Sequence, residues 1–414
     1  MEKKLGVYIH IPFCASKCSY CDFYSLSGCE KLMPKYHAAL LEHIKESSAQ
    51  LHEYYIDTVY FGGGTPSFYG ARRICEIFNA LKVSALVYKN SEVTIEVNPD
   101  SIKARDMAAL LSSGINRLSI GAQSANDDIL KLIGRRHNWM QVEKAVKNAR
   151  SAGFKNISLD LIYGLPSQTK TDWADTLLKA LALKPEHISC YGLKLEEGTP
   201  MYSYLGSPML PDDDEQADMY LYAVETLERY GYKQYEISNF ALPGFESKHN
   251  LKYWLLRDYM GFGPGAHSNI GSLRYSYVRD IQKYIAGMHG GESILDEYEQ
   301  IGLLERAAEY IMLGMRTTRG ISAKEYHNIY RSNFEPLEDL LREYEYKGWA
   351  VCENDRWRFT PSGFLLSNLL IGLMLEKQGE YKLSGNPWVD TMDMFEKKAE
   401  LPAGDEVFYK SSRK

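Results

Sequence analysis

Strand-like and helix-like patterns alternate along the first half of the chain. Short apolar, β-branched runs alternate with longer segments in which apolar residues recur every three or four positions. The short runs predict strands at residues 7–11, 58–61, 93–97, 117–120, 157–162 and 188–193. The periodic segments predict helices at residues 34–50, 72–81, 102–112, 127–133, 140–152 and 171–183. Repeated βα units indicate a parallel sheet covered by helices.

About six βα units predict an α/β fold with a curved, incomplete barrel, because a closed barrel of this kind has eight units. Ligands of such sheets bind beside the carboxyl ends of the parallel strands. The residues that directly follow each predicted strand are therefore the candidates for ligand binding.

The pattern changes after residue 300. Helical segments, a short hairpin and a final helix are predicted at residues 302–317, 322–330, 335–347, 349–359 and 361–373. Asn354 and Asp355 mark the hairpin turn. This order resembles a winged helix, so we expect a C-terminal, mainly helical, winged-helix-like domain. The predicted parts are a barrel domain at residues 1–235, a connecting segment at 236–298, this domain at 299–376 and a polar tail at 377–414.

The composition describes an ordinary soluble protein. The chain has 414 residues, of which 45% are hydrophobic and 25% charged, so it can bury a large core. A net charge of −6 argues against a nucleic-acid partner. The N-terminus has no secretory apolar region, and no apolar stretch is long enough to span a membrane. Seven cysteines, three of them clustered, suit a reducing compartment, so we expect a cytoplasmic protein.

Three cysteines follow the first predicted strand. Cys14, Cys18 and Cys21 are spaced C-x3-C-x2-C, which favours one shared metal centre. Iron–sulfur clusters are held by cysteine thiolates, and three thiolates on a four-iron cluster leave one iron open. A structural zinc site would need a fourth ligand, such as Cys29 or Asp22, and the paired C-x2-C halves of such sites are absent. A disulfide would leave one thiol over. Spacing alone leaves these alternatives open.

Polar residues lie at the ends of the other predicted strands. The run Gly62-Gly63-Gly64-Thr65 follows the second strand, where glycines permit close backbone approach and expose N–H donors, or simply form a tight turn. Glu96 and Asp160 are carboxylates inside apolar strands, which should be paired or functional. Gln123 ends the fourth strand, and Arg135 follows a predicted helix end. Singly, each suits an ordinary surface or turn role, but together they predict a ligand site at one end of the sheet.

These features together resemble the radical S-adenosylmethionine (SAM) superfamily over about residues 5–200. The resemblance implies a 4Fe-4S cluster on the three cysteines, with the amine and carboxylate of SAM on the fourth iron. It implies cofactor binding by Tyr8, Tyr20, Gly63, Gly64, Thr65, Glu96, Gln123, Arg135 and Asp160.

Two further segments narrow the resemblance. Residues 9–14, Ile-His-Ile-Pro-Phe-Cys, and residues 235–240, Tyr-Glu-Ile-Ser-Asn-Phe, are similar to oxygen-independent coproporphyrinogen III oxidase and its heme-chaperone relatives. The oxidase has a fourth cysteine two residues after the third, where this chain has Phe23. The oxidase also has an N-terminal extension, whereas only six residues precede Val7 here. Both differences favour the chaperone branch.

Residues 249–254, His-Asn-Leu-Lys-Tyr-Trp, resemble the H-N-x-x-Y-W motif of HemW-type heme chaperones, and about residues 1–375 fit that family. Histidine is the commonest heme ligand, and aromatic rings suit a flat macrocycle. From the residues alone, a histidine packed with two aromatic rings in the core is the better interpretation. The resemblance implies heme contact by His249.

The resemblance implies a heme chaperone on a 4Fe-4S and SAM-binding scaffold. Its expected partners are heme, recipient heme proteins that include membrane-bound respiratory enzymes, and a second copy of the chain. The alternative function is that of oxygen-independent coproporphyrinogen III oxidase, a radical SAM enzyme that decarboxylates porphyrinogen propionates. A third interpretation is a binding protein of the same fold whose ligand is not a tetrapyrrole. No residue is assigned a catalytic role.

Overall fold

The computed structural model describes residues 3–383. Two compact units divide the chain between them, Met1–Gly302 and Leu303–Lys414.

The strands of the first unit follow the predicted pattern and add several short ones. They are β1 (Lys4–Ile11), β2 (Phe13–Cys14), β3 (Leu26–Ser27), β4 (Tyr55–Gly63), β5 (Leu86–Val97), β6 (Arg117–Gln123), β7 (Ile157–Tyr163), β8 (His187–Gly192), β9 (Lys233–Glu236), β10 (Asn239–Ala241), β11 (Tyr259–Phe262), β12 (His267–Ile270), β13 (Leu273–Tyr277) and β14 (Leu295–Gln300).

The helices of this unit lie between the strands, and they include those that the periodic segments predict. They are α1 (Met33–Glu46), α2 (Ser48–Leu51), α3 (Pro66–Tyr69), α4 (Ala71–Ser84), α5 (Ala104–Ser113), α6 (Asp127–Leu132), α7 (Trp139–Ala152), α8 (Lys170–Ala182), α9 (Asp213–Arg229), α10 (Lys248–Trp254) and α11 (Ile281–Met288).

One sheet organises the first unit. Its order is β14-β13-β12-β11-β1-β4-β5-β6-β7-β8-β10-β9. The strands from β11 to β8 in this order are parallel, and those at either end are antiparallel. Within the described residues, the two end strands do not pair with each other, so the sheet stays open. The predicted α/β fold with an incomplete parallel barrel is confirmed.

The segment expected to connect two domains is part of this sheet. Residues 236–298 contribute β10 to β14, and β11 pairs in parallel with β1. A seventh parallel strand thus joins the predicted six and comes from late in the chain. The predicted boundary at residue 235 does not divide the structure, because the first unit continues to Gly302.

Alternation along the strands separates an apolar face from a polar face. Val7 and Ile9 of β1, like Val59 and Phe61 of β4, are fully buried in the hydrophobic core. The intervening side chains point to the other side of the sheet, because successive strand residues alternate. Tyr8, for example, pairs in register with Tyr60. This second face carries the candidate site.

The second unit is mainly helical. Its elements are α12 (Leu303–Gly314), α13 (Ala323–Tyr330), α14 (Glu335–Tyr346), β15 (Ala350–Glu353), β16 (Arg356–Phe359), α15 (Pro361–Leu365) and α16 (Ser367–Leu383). Strands β15 and β16 form the predicted hairpin, and Asn354 and Asp355 both have positive φ at its turn, 52° and 61°. The predicted C-terminal, winged-helix-like arrangement is confirmed.

Helix α16 extends past residue 376, where the tail is predicted to begin, and reaches Leu383. The rest of the predicted tail lies outside the described residues. Among residues 3–383, no helix combines the length and the apolar character that crossing a bilayer requires.

Candidate functional site

The three clustered cysteines lie in a loop that two short strands close. Cys14 ends β2, which pairs in parallel with β3 on the far side of the loop. Cys14, Cys18 and Cys21 are all free thiols. Burial raises the pKa of the Cys14 and Cys21 thiols, so an additional positive charge nearby would favour their thiolate forms.

Two predicted residues from other elements reach the cysteines. The hydroxyl of Thr65 donates to Sγ of Cys14 at 3.4 Å, and Nη1 of Arg135 donates to Sγ of Cys18 at 3.5 Å. Nη2 of Arg135 is held by Oδ1 of Asn98 at 2.9 Å and by the carbonyl of Gly121 at 2.7 Å. The guanidinium is thus fixed against the loop, and its buried Nε has no hydrogen-bond partner in the described structure.

The donor set fits a four-iron cluster better than a single ion. Within residues 3–383, no three His, Cys, Asp or Glu side chains converge as ligands of one metal ion. A four-iron cluster places each cysteine on its own iron, so the sulfurs need not converge on a point. Three free thiols beside a fixed guanidinium and a hydroxyl donor suit an anionic thiolate cluster.

The glycine loop after β4 uses its N–H groups within the protein. The N–H of Gly63 donates to Oε2 of Glu96 at 3.2 Å. The N–H groups of Gly64 and Thr65 donate to the carbonyls of Ile11 and Phe13, both at 2.8 Å. The expectation that this loop exposes N–H donors is therefore wrong. Carbonyl oxygens, in contrast, are acceptors that suit a cation such as an ammonium group.

Close approach explains why the loop needs glycine. A Cβ on Gly64 would lie 2.8 Å from the carbonyl oxygen of Phe13 and 2.9 Å from that of Ile11. Gly63 has φ +112°, a conformation that side chains rarely adopt, and a Cβ there would meet the ring of His10. The two glycines thus let the loop lie against the segment that carries Cys14.

Glu96 is the carboxylate nearest to the glycine loop. Its Oε1 accepts a hydrogen bond from the phenol of Tyr60 at 2.9 Å, and its Oε2 accepts the one from Gly63. The pKa of Glu96 is raised to about 7, chiefly by burial and also by the neighbouring Asp160, while the hydrogen bonds from Tyr60 and Gly63 oppose the rise. Glu96 can therefore gain or lose a proton near neutral pH.

Asp160 is held by hydroxyl groups on the next strands. Ser119 and Ser189 donate to its carboxylate at 2.9 and 2.7 Å, and Ser158 donates at 3.4 Å. Burial raises the pKa of Asp160, while these hydrogen bonds oppose the rise. The carboxylate is thus oriented by β6, β7 and β8 rather than left mobile.

Gln123 and Tyr20 lie close to Arg135. A Cβ on Gly121 would meet Nε2 of Gln123 at 2.9 Å and Nη2 of Arg135 at 2.8 Å, so both side chains converge on that glycine. Gln123 has φ +64°, an unusual conformation for a residue with a side chain. Burial raises the pKa of the Tyr20 phenol, and Arg135 lowers it in part.

A row of rings connects the glycine loop with α10. The rings of Tyr8 and Tyr60 are stacked with centroids 6.3 Å apart, and those of Tyr60 and His249 with centroids 5.3 Å apart. The ring of Tyr253 meets that of His249 edge-on at 5.2 Å. These rings border a cavity of about 200 Å³, lined by Tyr8, Phe23, Tyr60, Gly63, Glu96, His249, Asn250 and Tyr253.

His249 is buried, and both of its ring nitrogens are paired. Nδ1 lies 2.8 Å from the hydroxyl of Thr58, and Nε2 lies 2.8 Å from the phenol of Tyr253. Its backbone N–H donates to Glu92 at 3.0 Å, which fixes the start of α10 beneath the sheet. Burial, with Lys252 second, lowers the pKa of His249 to about 3, so the imidazole is neutral. A neutral imidazole is the form that ligates metals.

The structure therefore gathers the predicted residues into two adjoining groups. The first surrounds the cysteines and contains Tyr20, Thr65, Gln123 and Arg135. The second, with Tyr8, Gly63, Glu96 and His249, lines the cavity. Gly64 packs against the cysteine segment, and Asp160 lies near enough to Glu96 to raise its pKa.

Sequence reasoning missed Tyr60, and it gave Phe23 no contact in the cavity. Tyr60 lies between the buried Val59 and Phe61 in the sequence. The alternation of side chains along a strand could therefore have placed Tyr60 on the polar face of β4. Phe23 is 69% exposed although it is a large apolar side chain beside the cysteines.

Two family models match the chain. The radical SAM superfamily matches residues 8–180, and the HemN C-terminal domain matches residues 301–366.

Curated relatives match nearly their whole length. The heme chaperone HemW of Bacillus subtilis (strain 168) is 35% identical over 374 residues, which cover 89% of this chain and 99% of the relative. HemW of Lactococcus lactis subsp. lactis (strain IL1403) is 34% identical over 374 residues, with 89% and 96% covered. HemW of Escherichia coli (strain K12) is 31% identical over 378 residues, with 90% and 98% covered.

A solved structure shares the fold. Coproporphyrinogen III oxidase (HemN) from Escherichia coli, described as a radical SAM enzyme, superposes with a TM-score of 0.80 over 90% of each chain. Its sequence identity is 22%, so this similarity concerns the fold alone.

Proposed function

The chain belongs to the HemW family of heme chaperones, within the radical SAM superfamily, and from this premise we propose that it binds heme and delivers it to heme proteins. The observation that carries the proposal is the identity of 31–35% to curated heme chaperones across 96–99% of their length. A cavity lined with aromatic rings, including those of His249 and Tyr253 from the H-N-x-x-Y-W motif, supports it.

In this proposal Cys14, Cys18 and Cys21 hold a 4Fe-4S cluster. When bound, such a cluster supplies one iron without a cysteine ligand, to which the amine and carboxylate of SAM can attach. Arg135 would balance the charge of the thiolates through its hydrogen bond to Cys18. The neutral hydroxyl of Thr65 would stabilise the Cys14 thiolate through its hydrogen bond.

The proposed SAM site surrounds the glycine loop. Carbonyl oxygens of Gly63 and Gly64 would accept hydrogen bonds from the methionyl ammonium, because the N–H groups of the loop are already paired. Glu96 and Asp160 would accept hydrogen bonds from cationic or hydroxyl groups of the cofactor. Tyr8 and Tyr20 supply aromatic surfaces, and Gln123 an amide. The protein's part is to orient the cofactor and exclude water.

The proposed heme contacts lie at the other end of the cavity. His249 is neutral, but its Nε2 is paired with Tyr253. Ligation of heme iron by Nε2 therefore requires that the Tyr253 phenol turn away. The rings of Tyr253 and Tyr60 would then offer flat surfaces to the macrocycle.

The proposal extends to partners and location. The recipients would be heme proteins, among them membrane-bound respiratory enzymes, and the chain would act in the cytoplasm and form homodimers. The proposal includes no nucleic-acid partner, in keeping with the net charge of −6 of the chain.

A heme titration tests the proposal. Purified protein is titrated anaerobically with heme while the Soret band is recorded, for the wild type and for His249→Ala. We expect wild-type protein to bind heme and the variant to bind it more weakly with a shifted Soret band. His289→Ala is the matched control, because His289 is exposed and lies outside the cavity. Unchanged binding and spectrum in His249→Ala would remove the heme role of this residue, and no binding by the wild type would contradict the function.

The second candidate function is that of oxygen-independent coproporphyrinogen III oxidase. The fold similarity to that enzyme, with a TM-score of 0.80, favours its inclusion. Reconstituted protein with SAM and coproporphyrinogen III should form no protoporphyrinogen if the chain is a chaperone. Turnover at ordinary enzyme rates, about 1 s⁻¹ or faster, would overturn the chaperone proposal.

A further inference from the structure

One cavity brings together part of the proposed SAM contacts and the proposed heme contacts. Tyr8, Gly63 and Glu96 belong to the proposed SAM site, and His249 and Tyr253 belong to the proposed heme site. No wall of protein separates these side chains, since all five line the same space.

Tyr60 forms the shared side of this cavity. Its ring stacks on Tyr8 with planes at 25° and on His249 with planes at 25°. Its hydroxyl donates to Oε1 of Glu96 at 2.9 Å. A displacement of the Tyr60 ring therefore changes the surroundings of proposed SAM contacts and of the proposed heme contact His249.

The cavity is smaller than a pocket that encloses one drug-sized ligand. Its volume is about 200 Å³. Pockets that enclose one drug-sized ligand have volumes of roughly 300–1,000 Å³. SAM and a tetrapyrrole are both of at least that size, so neither can lie wholly within this cavity, and parts of the two ligands would have to share it.

We propose that heme and SAM compete for this cavity, so that each weakens the binding of the other, with Tyr60 as the wall that both ligands contact. This inference rests on the proposed function, because it presumes that the chain binds heme. Binding of SAM at the cluster end displaces heme contacts at the α10 end. The cofactor thereby becomes a release signal for the cargo, and no chemical conversion of either ligand is needed.

Linkage makes the proposal quantitative. If SAM lowers the affinity for heme by some factor, heme must lower the affinity for SAM by the same factor. Couplings of this kind are typically about fivefold to 150-fold. We expect a factor of about fivefold or more in the wild-type protein.

The test is a pair of titrations on cluster-reconstituted protein under anaerobic conditions. Heme is titrated by its Soret absorbance with and without saturating SAM, and radiolabelled SAM is titrated by equilibrium dialysis with and without saturating heme. The proposal predicts weaker binding in both experiments, by matching factors. Heme affinity that stays within twofold while dialysis shows SAM bound would overturn the proposal, and so would a mutual gain in affinity.

Variants of Tyr60 examine the shared wall. Tyr60→Ala enlarges the cavity, so the coupling should fall toward a factor of one, whereas Tyr60→Phe keeps the ring and should keep most of the coupling. Tyr222→Ala is the control, because Tyr222 is 38% exposed on α9 and lies outside the cavity. Full coupling in Tyr60→Ala would overturn the role of this ring.

The outcomes separate this inference from the function on which it rests. Wild-type protein that binds heme without any response to bound SAM retains the proposed function and loses the competition. Wild-type protein that binds no heme loses both. If Tyr60→Ala does not fold, the wild-type titrations alone decide whether the ligands compete.

Discussion

The phenol ring of Tyr60 lies nearly parallel to the imidazole of His249, with centroids 5.3 Å apart and planes at 25°. Tyr60 belongs to β4 and His249 to α10, so this contact joins the polar face of the sheet to the helix beneath it. The hydroxyl of the same tyrosine reaches Glu96. Tyr60 therefore links the proposed SAM contact Glu96 to the proposed heme contact His249 within one cavity.

Gly64→Ala should disturb the cysteine loop. The new methyl group would lie 2.8 Å from the carbonyl oxygen of Phe13, directly before Cys14, so the backbone must shift. We expect a loss of about 1–3 kcal/mol in the free energy of unfolding. Less iron and sulfide should also be retained after anaerobic reconstitution. Urea denaturation and metal analysis check the two effects.

Gly372→Ala is the matched control for that substitution. Gly372 lies within α16, and a Cβ there meets no atom within 4 Å. Alanine is a better helix former, so we expect a gain of about 0.5–1 kcal/mol and normal cluster content. A Gly64→Ala protein that behaves like this control would show that close packing of the glycine loop does not position Cys14.

Arg135→Met should impair cluster retention more than Arg135→Lys. The arginine holds Asn98, the carbonyl of Gly121 and Sγ of Cys18 at once, and lysine can keep the charge without this fork. Loss of hydrogen bonds to a charged group costs about 1.5–3 kcal/mol. Iron per chain after gel filtration, together with thermal unfolding of the cluster-free protein, measures both effects.

The neighbouring Arg136 provides the control for Arg135. It is 55% exposed and pairs with Asp100 at 3.5 Å, so Arg136→Met should cost about 0–1 kcal/mol and leave iron content unchanged. Equal losses of iron in the Arg135 and Arg136 variants would indicate a general effect of basic charge near the loop rather than the specific contact.

Glu96→Gln should make the ligand-free protein less sensitive to alkaline pH. The pKa of Glu96 is about 7 in the folded chain and 4.5 as the ordinary value, so the folded state holds the proton more tightly. Wild-type stability therefore falls as pH rises from about 4.5 through 7. Between pH 5 and pH 8, the unfolding free energy of the variant should therefore increase by about 2–3 kcal/mol relative to that of the wild type.

Urea denaturation at the two pH values measures this difference. Comparing two pH values cancels any constant effect, such as the amide group of glutamine facing the N–H of Gly63. The same stability change with pH in wild type and Glu96→Gln would contradict the raised pKa.

His43 should contribute to acid sensitivity. Burial lowers the pKa of His43 to about 3 from its ordinary 6.5, and Nδ1 lies 2.8 Å from the phenol of Tyr284. Between pH 6.5 and 3 the unfolded chain binds the proton and the folded chain does not, so stability falls as pH falls.

Protonation of His43 in the unfolded chain should lower the unfolding free energy of the wild type by about 2 kcal/mol between pH 7 and pH 5. His43→Phe keeps an aromatic ring among Phe262 and Tyr277 but cannot titrate. Its unfolding free energy should therefore change by about 2 kcal/mol less over the same range. Parallel pH dependence of the two proteins would show that His43 does not titrate on unfolding.

The parallel strands were predictable because each is a short apolar run between periodic helices. Strand β11 was not, because Tyr259–Phe262 has four residues that include a glycine. Its partner β1 lies far away in the sequence, and no local pattern records such a pairing. The late segment was therefore expected to connect two domains, although it completes the parallel sheet.

The glycine loop shows a different limit of sequence reasoning. A glycine run indicates that something approaches the backbone closely, but it does not say what. Here the carbonyls of Ile11 and Phe13 approach it and take the N–H groups of Gly64 and Thr65. Neighbouring parallel strands satisfy the donors that the sequence offered to a ligand.

For the motif containing His249, the inference from the residues alone and the inference from the resemblance are compatible. The residues alone favoured a histidine packed with aromatic rings, and the structure buries His249 between Tyr60 and Tyr253. The same rings border the cavity, so packing and ligand contact do not exclude each other here. Tyr60 joins this arrangement only because β4 and α10 pack against each other in the folded chain. The sequence alone does not show this packing.

The pairing of β1 with β11 has a consequence for biosynthesis. One edge of β1 stays without its neighbour until Tyr259–Phe262 has been translated. An apolar strand with an open edge is the kind of nascent surface that attracts folding helpers and self-association. If the cysteines just after that strand hold the proposed cluster, its assembly is thus best timed to follow translation of β11.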